Sequence, residues 1–92
     1  MNKYVIERTI PGADKMSPKD FCQVAAKSNA VLREMGTDIQ WVHSYVTANK
    51  LYCIYNAKNQ DLVREQARRG GFPADFVALV SAVIDPTNEQ LR

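Results

Sequence analysis

The strongest constraint on this chain is the order in which two repeats replace one another along it. Residues Lys3 to Thr9 change side at every second position, with Tyr4, Ile6 and Arg8 on one side and Val5, Glu7 and Thr9 on the other, which is the period of a β-strand. Pro11-Gly12 breaks that pattern. A helical period then takes over, placing Phe21, Val24, Ala25, Ser28, Val31, Leu32 and Met35 on one stripe. Ser17-Pro18-Lys19-Asp20 opens it with a capping hydroxyl, a proline where no N–H is needed and a carboxylate in the positive first turn, and Gly36 closes it.

Alternation returns from Ile39 to Thr47 and, after the polar turn Ala48-Asn49-Lys50, from Leu51 to Ala57, so the pair reads as a β-hairpin. Asn59 is placed to cap a shorter helix running to about Arg69, with Leu62, Val63 and Ala67 inside and Gly70-Gly71 as its stop. The Val- and Ala-rich run Phe76 to Ile84 reads as a last strand ending at Asp85-Pro86.

The order is βαββαβ within 92 residues, with no linker and no low-complexity segment, so residues 1–92 form a single domain. It predicts an α+β fold of ferredoxin-like type: a four-stranded antiparallel sheet with two helices on one face, where right-handed crossovers put them. The strands nevertheless carry apolar or aromatic residues on both alternating sets. The uncovered sheet face is therefore expected to pack against that of a second copy, giving a homodimer of the dimeric α/β-barrel kind.

Charge and hydropathy remove several function classes. Twelve basic against ten acidic residues give a net charge of +2, and no basic run exceeds Arg68-Arg69, too little for a duplex-binding footprint, so no nucleic acid partner is expected. No apolar run approaches the ~20 residues of a membrane span, and the opening Met-Asn-Lys-Tyr-Val-Ile-Glu-Arg lacks a signal-peptide core, so the expectation is a cytoplasmic protein with no membrane partner. Cys22 and Cys53 fit no metal-ligand spacing and are expected as buried thiols.

The candidate site centres on the hairpin. His43, the only histidine, lies between Trp41 and Tyr45, and plain alternation puts all three on one face. A neutral imidazole there can bind a transition metal or move a proton, or simply be hydrogen-bonded to a neighbour. A three-residue loop sets His43 opposite Tyr55 and Cys53 opposite Tyr45, gathering a pocket wall; a two-residue loop substitutes Ile54 and Tyr52. Aromatic pairs across strands also serve simply to stabilise a hairpin.

Glu7, in a strand expected to be central, needs a partner: it is a candidate acid, base or metal ligand, or else is paired with Arg8, Arg64 or a second subunit. On the second helix Glu65 and Arg69 are spaced for an ion pair, while Gln66 falls near the inner stripe, where an amide can touch the pocket's contents. There is no phosphate loop, GxSxG or HExxH, and Gly70-Gly71 lies at the wrong end of a helix to bind phosphate.

Taken together, Tyr4-Val5-Ile6-Glu7-Arg8 with Pro11-Gly12, the hairpin from Trp41 through Tyr55, Gly70-Gly71-Phe72-Pro73 and Val83-Ile84-Asp85-Pro86 resemble a small bacterial family of ferredoxin-like domains of unknown function that includes a nickel-binding member. The resemblance implies a dimeric fold and, in the nickel-binding member, a site rich in histidine. His43 matches one of those positions, while Gln66 stands where the resemblance places a histidine on the second helix, leaving one imidazole for a metal that selects for several.

Two functions follow as expectations. One is a homodimeric binding protein whose pocket, lined by Glu7, Trp41, His43, Tyr45, Cys53, Tyr55 and Gln66, holds a small ligand or a transition metal such as nickel, with His43 as the metal residue. The alternative is a cofactor-free isomerase or monooxygenase acting on a small organic molecule, with His43 or Glu7 as base and Tyr45 or Tyr55 as donor.

Overall fold

The computed structural model describes residues 1–90. Its elements are β1 (Asn2–Thr9), α1 (Pro18–Met35), β2 (Ile39–Val46), β3 (Lys50–Ala57), α2 (Gln60–Gly70) and β4 (Phe76–Leu79), with short 3-10 turns at Ala13–Lys15 and Pro86–Gln90. The strands form one sheet in the order β2-β3-β1-β4, every neighbouring pair antiparallel. This is the ferredoxin-like arrangement, and β1, which carries Glu7, is a central strand.

The helix ends follow from their local chemistry. The Ser17 hydroxyl accepts from the Asp20 N–H at 3.1 Å while the Asp20 carboxylate accepts from the Ser17 N–H at 3.0 Å, a reciprocal box that satisfies two backbone donors at the start of α1. Asn59 caps α2 through Leu62 N–H, and Gly71, at a φ of 67°, turns the chain back so that its N–H meets the carbonyls of Ala67 and Arg68.

The alternation of β1 holds: Tyr4, Ile6 and Arg8 are buried toward the helices. Leu51, Cys53, Tyr55 and Ala57 of β3 face the same way, and Val63 and Ala67 of α2 close over them. Leu32, Met35 and Trp41 pack at the edge of this core.

Three expectations are corrected. β4 stops at Leu79 rather than Ile84: its last bond to β1 is from the Val80 N–H to the Lys3 carbonyl at 2.8 Å, and because β1 begins at Asn2 no residue of that strand lies opposite Val83 or Ile84, which are exposed. Thr47 N–H bonds to the Lys50 carbonyl, making Ala48-Asn49 the hairpin loop and setting His43 opposite Ile54 and Tyr45 opposite Tyr52. Cys22 is exposed, one residue off the inner stripe of α1, and only Cys53 is buried.

A β-bulge changes the hairpin further. Trp41 pairs with Tyr55 and His43 with Ile54, so Val42 has no partner of its own. The extra residue breaks the parity of β2: Trp41 points inward, His43 and Tyr45 outward, and Ser44 inward again. The outer sheet face thus carries His43 and Tyr45 of β2, Tyr52 and Ile54 of β3, Val5 and Glu7 of β1 and Phe76 of β4. Tyr45 and Phe76 are more than half exposed there. Among the described residues, no helix is long and apolar enough to cross a membrane.

Candidate functional site

A cavity of about 230 Å³ lies between α1 and the inner face of the sheet. Phe21, Val24 and Ala25 line it from α1, and Val46 and Leu51 from the hairpin. Its polar wall is made by Arg8, Ser28, Ser44 and Tyr55, with Trp41 and Cys53 beside them and Phe72, from the turn after α2, across the end. A mostly apolar space with a few convergent polar groups is the usual form of a small-molecule site.

The polar groups are held in place from behind. Gln66, fully buried, donates from its side-chain nitrogen to the Ser28 hydroxyl at 3.0 Å and accepts from an Arg8 guanidinium nitrogen at 3.5 Å. Ser28 in turn meets the Tyr55 hydroxyl at 3.5 Å. Arg8 also donates to the Pro73 carbonyl and lies 5.4 Å from the centre of the Phe72 ring. The Trp41 indole N–H donates to the Ser44 hydroxyl at 3.0 Å, a contact that exists because the bulge at Val42 turns both residues inward. No buried side-chain nitrogen or oxygen among the described residues lacks a partner.

Burial raises the pKa of the Tyr55 hydroxyl above its ordinary value; its contact with Ser28 and the charge of Arg8 oppose the rise without cancelling it. Tyr55 is therefore a neutral hydroxyl at physiological pH.

The expected pocket residues divide between the two faces of the sheet. Trp41, Cys53 and Tyr55 line the cavity, and Gln66 sits behind its wall as the brace for Arg8 and Ser28. Glu7, His43 and Tyr45 lie on the outer face. Glu7 meets neither Arg8 nor Arg64 but pairs with Lys50 at 2.6 Å, since the two-residue loop starts β3 at Lys50 and brings its ammonium diagonally across the ladder. His43 bonds to the Tyr45 hydroxyl at 3.0 Å, the two rings edge to face, and both are exposed. On α2, Glu65 pairs with Arg69 as its spacing requires and also with Arg68, and together they hold its carboxyl down at about 2.

The residue that sequence reasoning passed over is Arg8. Its signal was present in the alternation of β1, which places it with Tyr4 and Ile6, two core residues. A charge in phase with a core stripe requires explanation in its own right.

The family model of nickel-responsive proteins described as SCO4226-like matches residues 4–80. The chain belongs to that family. Among solved structures, the crystal structure of SCO4226 from Streptomyces coelicolor A3(2) superposes with a TM-score of 0.75, covering 89% of this chain and 99% of the other at 14% sequence identity. That likeness is one of fold. No curated protein matches the chain.

Membership in the SCO4226-like family raises nickel as a candidate metal, and the donor set can be tested against it. Among the described residues no three of His, Cys, Asp and Glu come together in a way that could hold an ion. His43 faces away from Cys53, Glu7 is engaged by Lys50, and the expected second histidine is Gln66, whose amide is spent on Ser28 and Arg8. One exposed imidazole does not make a selective nickel site, so the residues of a single chain do not fit the metal.

Proposed function

We propose that this member of the SCO4226-like family is a small-molecule-binding protein that acts as a homodimer, with its ligand in the cavity between α1 and the sheet. The observation that carries the reading is the convergence of Arg8, Ser28, Ser44 and Tyr55 on one otherwise apolar space. An enzyme using Glu7 or His43 as base is disfavoured, because both lie across the sheet from the cavity.

The homodimer part of the proposal is supported by the outer sheet face, where Tyr45 and Phe76 are 59% and 57% exposed beside Val5 and Ile54. Both helices cover the other face, so a second copy is the economical cover for this one. A metal reading would need ligands from that second copy, and His43, exposed on this same face, is the residue that would meet them.

Trp41 is the only tryptophan and lines the cavity, so its fluorescence reports directly on occupancy. A panel of neutral and charged single-ring aromatics is titrated against the protein while fluorescence and Tm are followed. A ligand at about a hundred times its Kd adds ~2.7 kcal/mol, which for a domain of this length is a Tm rise on the order of 10 °C. Failure of every compound to move either signal rejects the cavity as a binding site, and a monomer in sedimentation at tens of micromolar rejects the homodimer.

A further inference from the structure

We infer that the cavity takes a small organic anion, a single ring or a short apolar body bearing one carboxylate, seated with that carboxylate against Arg8. The inference rests on the cavity-binding reading above and names its ligand class.

Arg8 is 3% exposed and lines the cavity. The ion pairs among the described residues are Lys50 with Glu7 and Arg68 and Arg69 with Glu65; Arg8 is in none of them. Its partners, the Pro73 carbonyl, the Gln66 amide oxygen and the Phe72 ring, are neutral. They fix the guanidinium in place and leave its charge intact, and a guanidinium cannot escape that charge by losing a proton. A buried, positioned guanidinium that borders a cavity and has no carboxylate among the described residues to balance its charge is suited to pair with an anionic ligand.

The surroundings narrow the anion. Phe21, Val24 and Leu51 offer the rest of the ligand apolar walls. An apolar cavity of ~150 Å³ accepts a benzene, so about 230 Å³ leaves room for a ring with one small charged group. A single planar guanidinium matches a carboxylate through two parallel N–H bonds. A phosphate ester brings more charge and more acceptor oxygens than one arginine satisfies. Tyr55, a neutral phenol, and Ser28, whose oxygen already accepts from Gln66, line the same cavity, and the hydroxyl proton not used between them can turn toward the carboxylate. Outside the core, Lys27 lies 5.5 Å from the other partner of this cluster, the Phe72 ring, and adds positive potential near the same end of the cavity.

The test measures binding of benzoate, benzamide and benzyl alcohol to the whole protein by calorimetry and Trp41 fluorescence, in the wild type and in Arg8→Gln and Arg8→Lys. Benzoate is expected to bind the wild type about tenfold or more tightly than its two neutral analogues, as a charged hydrogen-bonded contact requires. Arg8→Gln should bring the three affinities together, and Arg8→Lys should retain part of the preference. Equal wild-type affinities overturn the carboxylate inference while leaving the cavity reading standing; no binding of any of the three overturns both. Because the comparison of ligands is made in the wild type, it decides the matter even if a variant fails to fold.

Discussion

The side-chain nitrogen of Gln66 donates to the hydroxyl of Ser28 at 3.0 Å, tying α2 to α1 directly behind the cavity wall. Both residues are buried, so removing one leaves the other's polar group without water to replace its partner. Gln66→Leu is expected to cost roughly 1–3 kcal/mol, read as a lower urea midpoint with an unchanged m-value. Combining it with Ser28→Ala should cost less than the sum of the two single changes, since the second no longer strands a partner. Strict additivity would show that the contact contributes nothing to stability.

Tyr55 supplies a prediction in pH. Its raised folded-state pKa means that the native protein holds the phenolic proton where the unfolded chain has lost it. The associated stability is fully present below the ordinary tyrosine value of about 10 and is lost as pH rises from there through the folded value. Titration of tyrosinate absorbance should show a component that ionises above the ordinary tyrosine range, and Tyr55→Phe should remove that late component. A late component that survives in Tyr55→Phe would assign it elsewhere.

Gly70 lies against Phe72 so closely that a methyl group at its Cα would run into the aromatic ring. Replacing a helical glycine by alanine ordinarily gains up to about 1 kcal/mol. Gly70→Ala is instead expected to lower Tm, because the Phe72 ring must leave its place beside Arg8. In a Phe72→Ala background the same change should become neutral or stabilising. A stabilising Gly70→Ala in the wild-type background would mean the ring moves freely.

Nickel added to metal-stripped protein is expected to raise Tm by less than about 1 °C at equimolar concentration, with His43→Ala behaving as the wild type does, since a ligand stabilises only in proportion to its affinity for the native state. The basis is the dispersal of donors, with His43 on one sheet face and Cys53 on the other. A rise of several degrees that vanishes in His43→Ala would show that a second copy completes a site.

Much of the fold was legible because its signals are local. The Ser17 and Asn59 caps, the glycines at 36 and 71 and the alternation of β1 each act over a few residues, and each does in the structure what its chemistry dictates. The misread features depend on partners distant in sequence. Val80 to Ile84 has strand-like composition, yet whether it pairs is decided by how far β1 extends. Glu7 finds Lys50 only once the hairpin loop is known to hold two residues. Nothing in Trp41-Val42-His43 marks a bulge: there is no glycine or proline, and a β-branched valine fits a regular strand. That one unmarked residue is why Trp41 and His43, expected side by side, stand on opposite faces.

The bulge also makes position 42 unlike any other in the hairpin. Every other residue of β2 from Ile39 to Val46 has a counterpart on β3, so removing one would slide its neighbours by a step and exchange indoors for outdoors. Val42 has no counterpart, and its deletion would let Trp41 and Ser44 keep their inward aim and His43 and Tyr45 their outward one. The strand therefore carries one expendable length unit, a place where the gene can shorten by a codon while each remaining side chain stays on its own side of the sheet; a Val42 deletion that lost the native Trp41 emission would refute this.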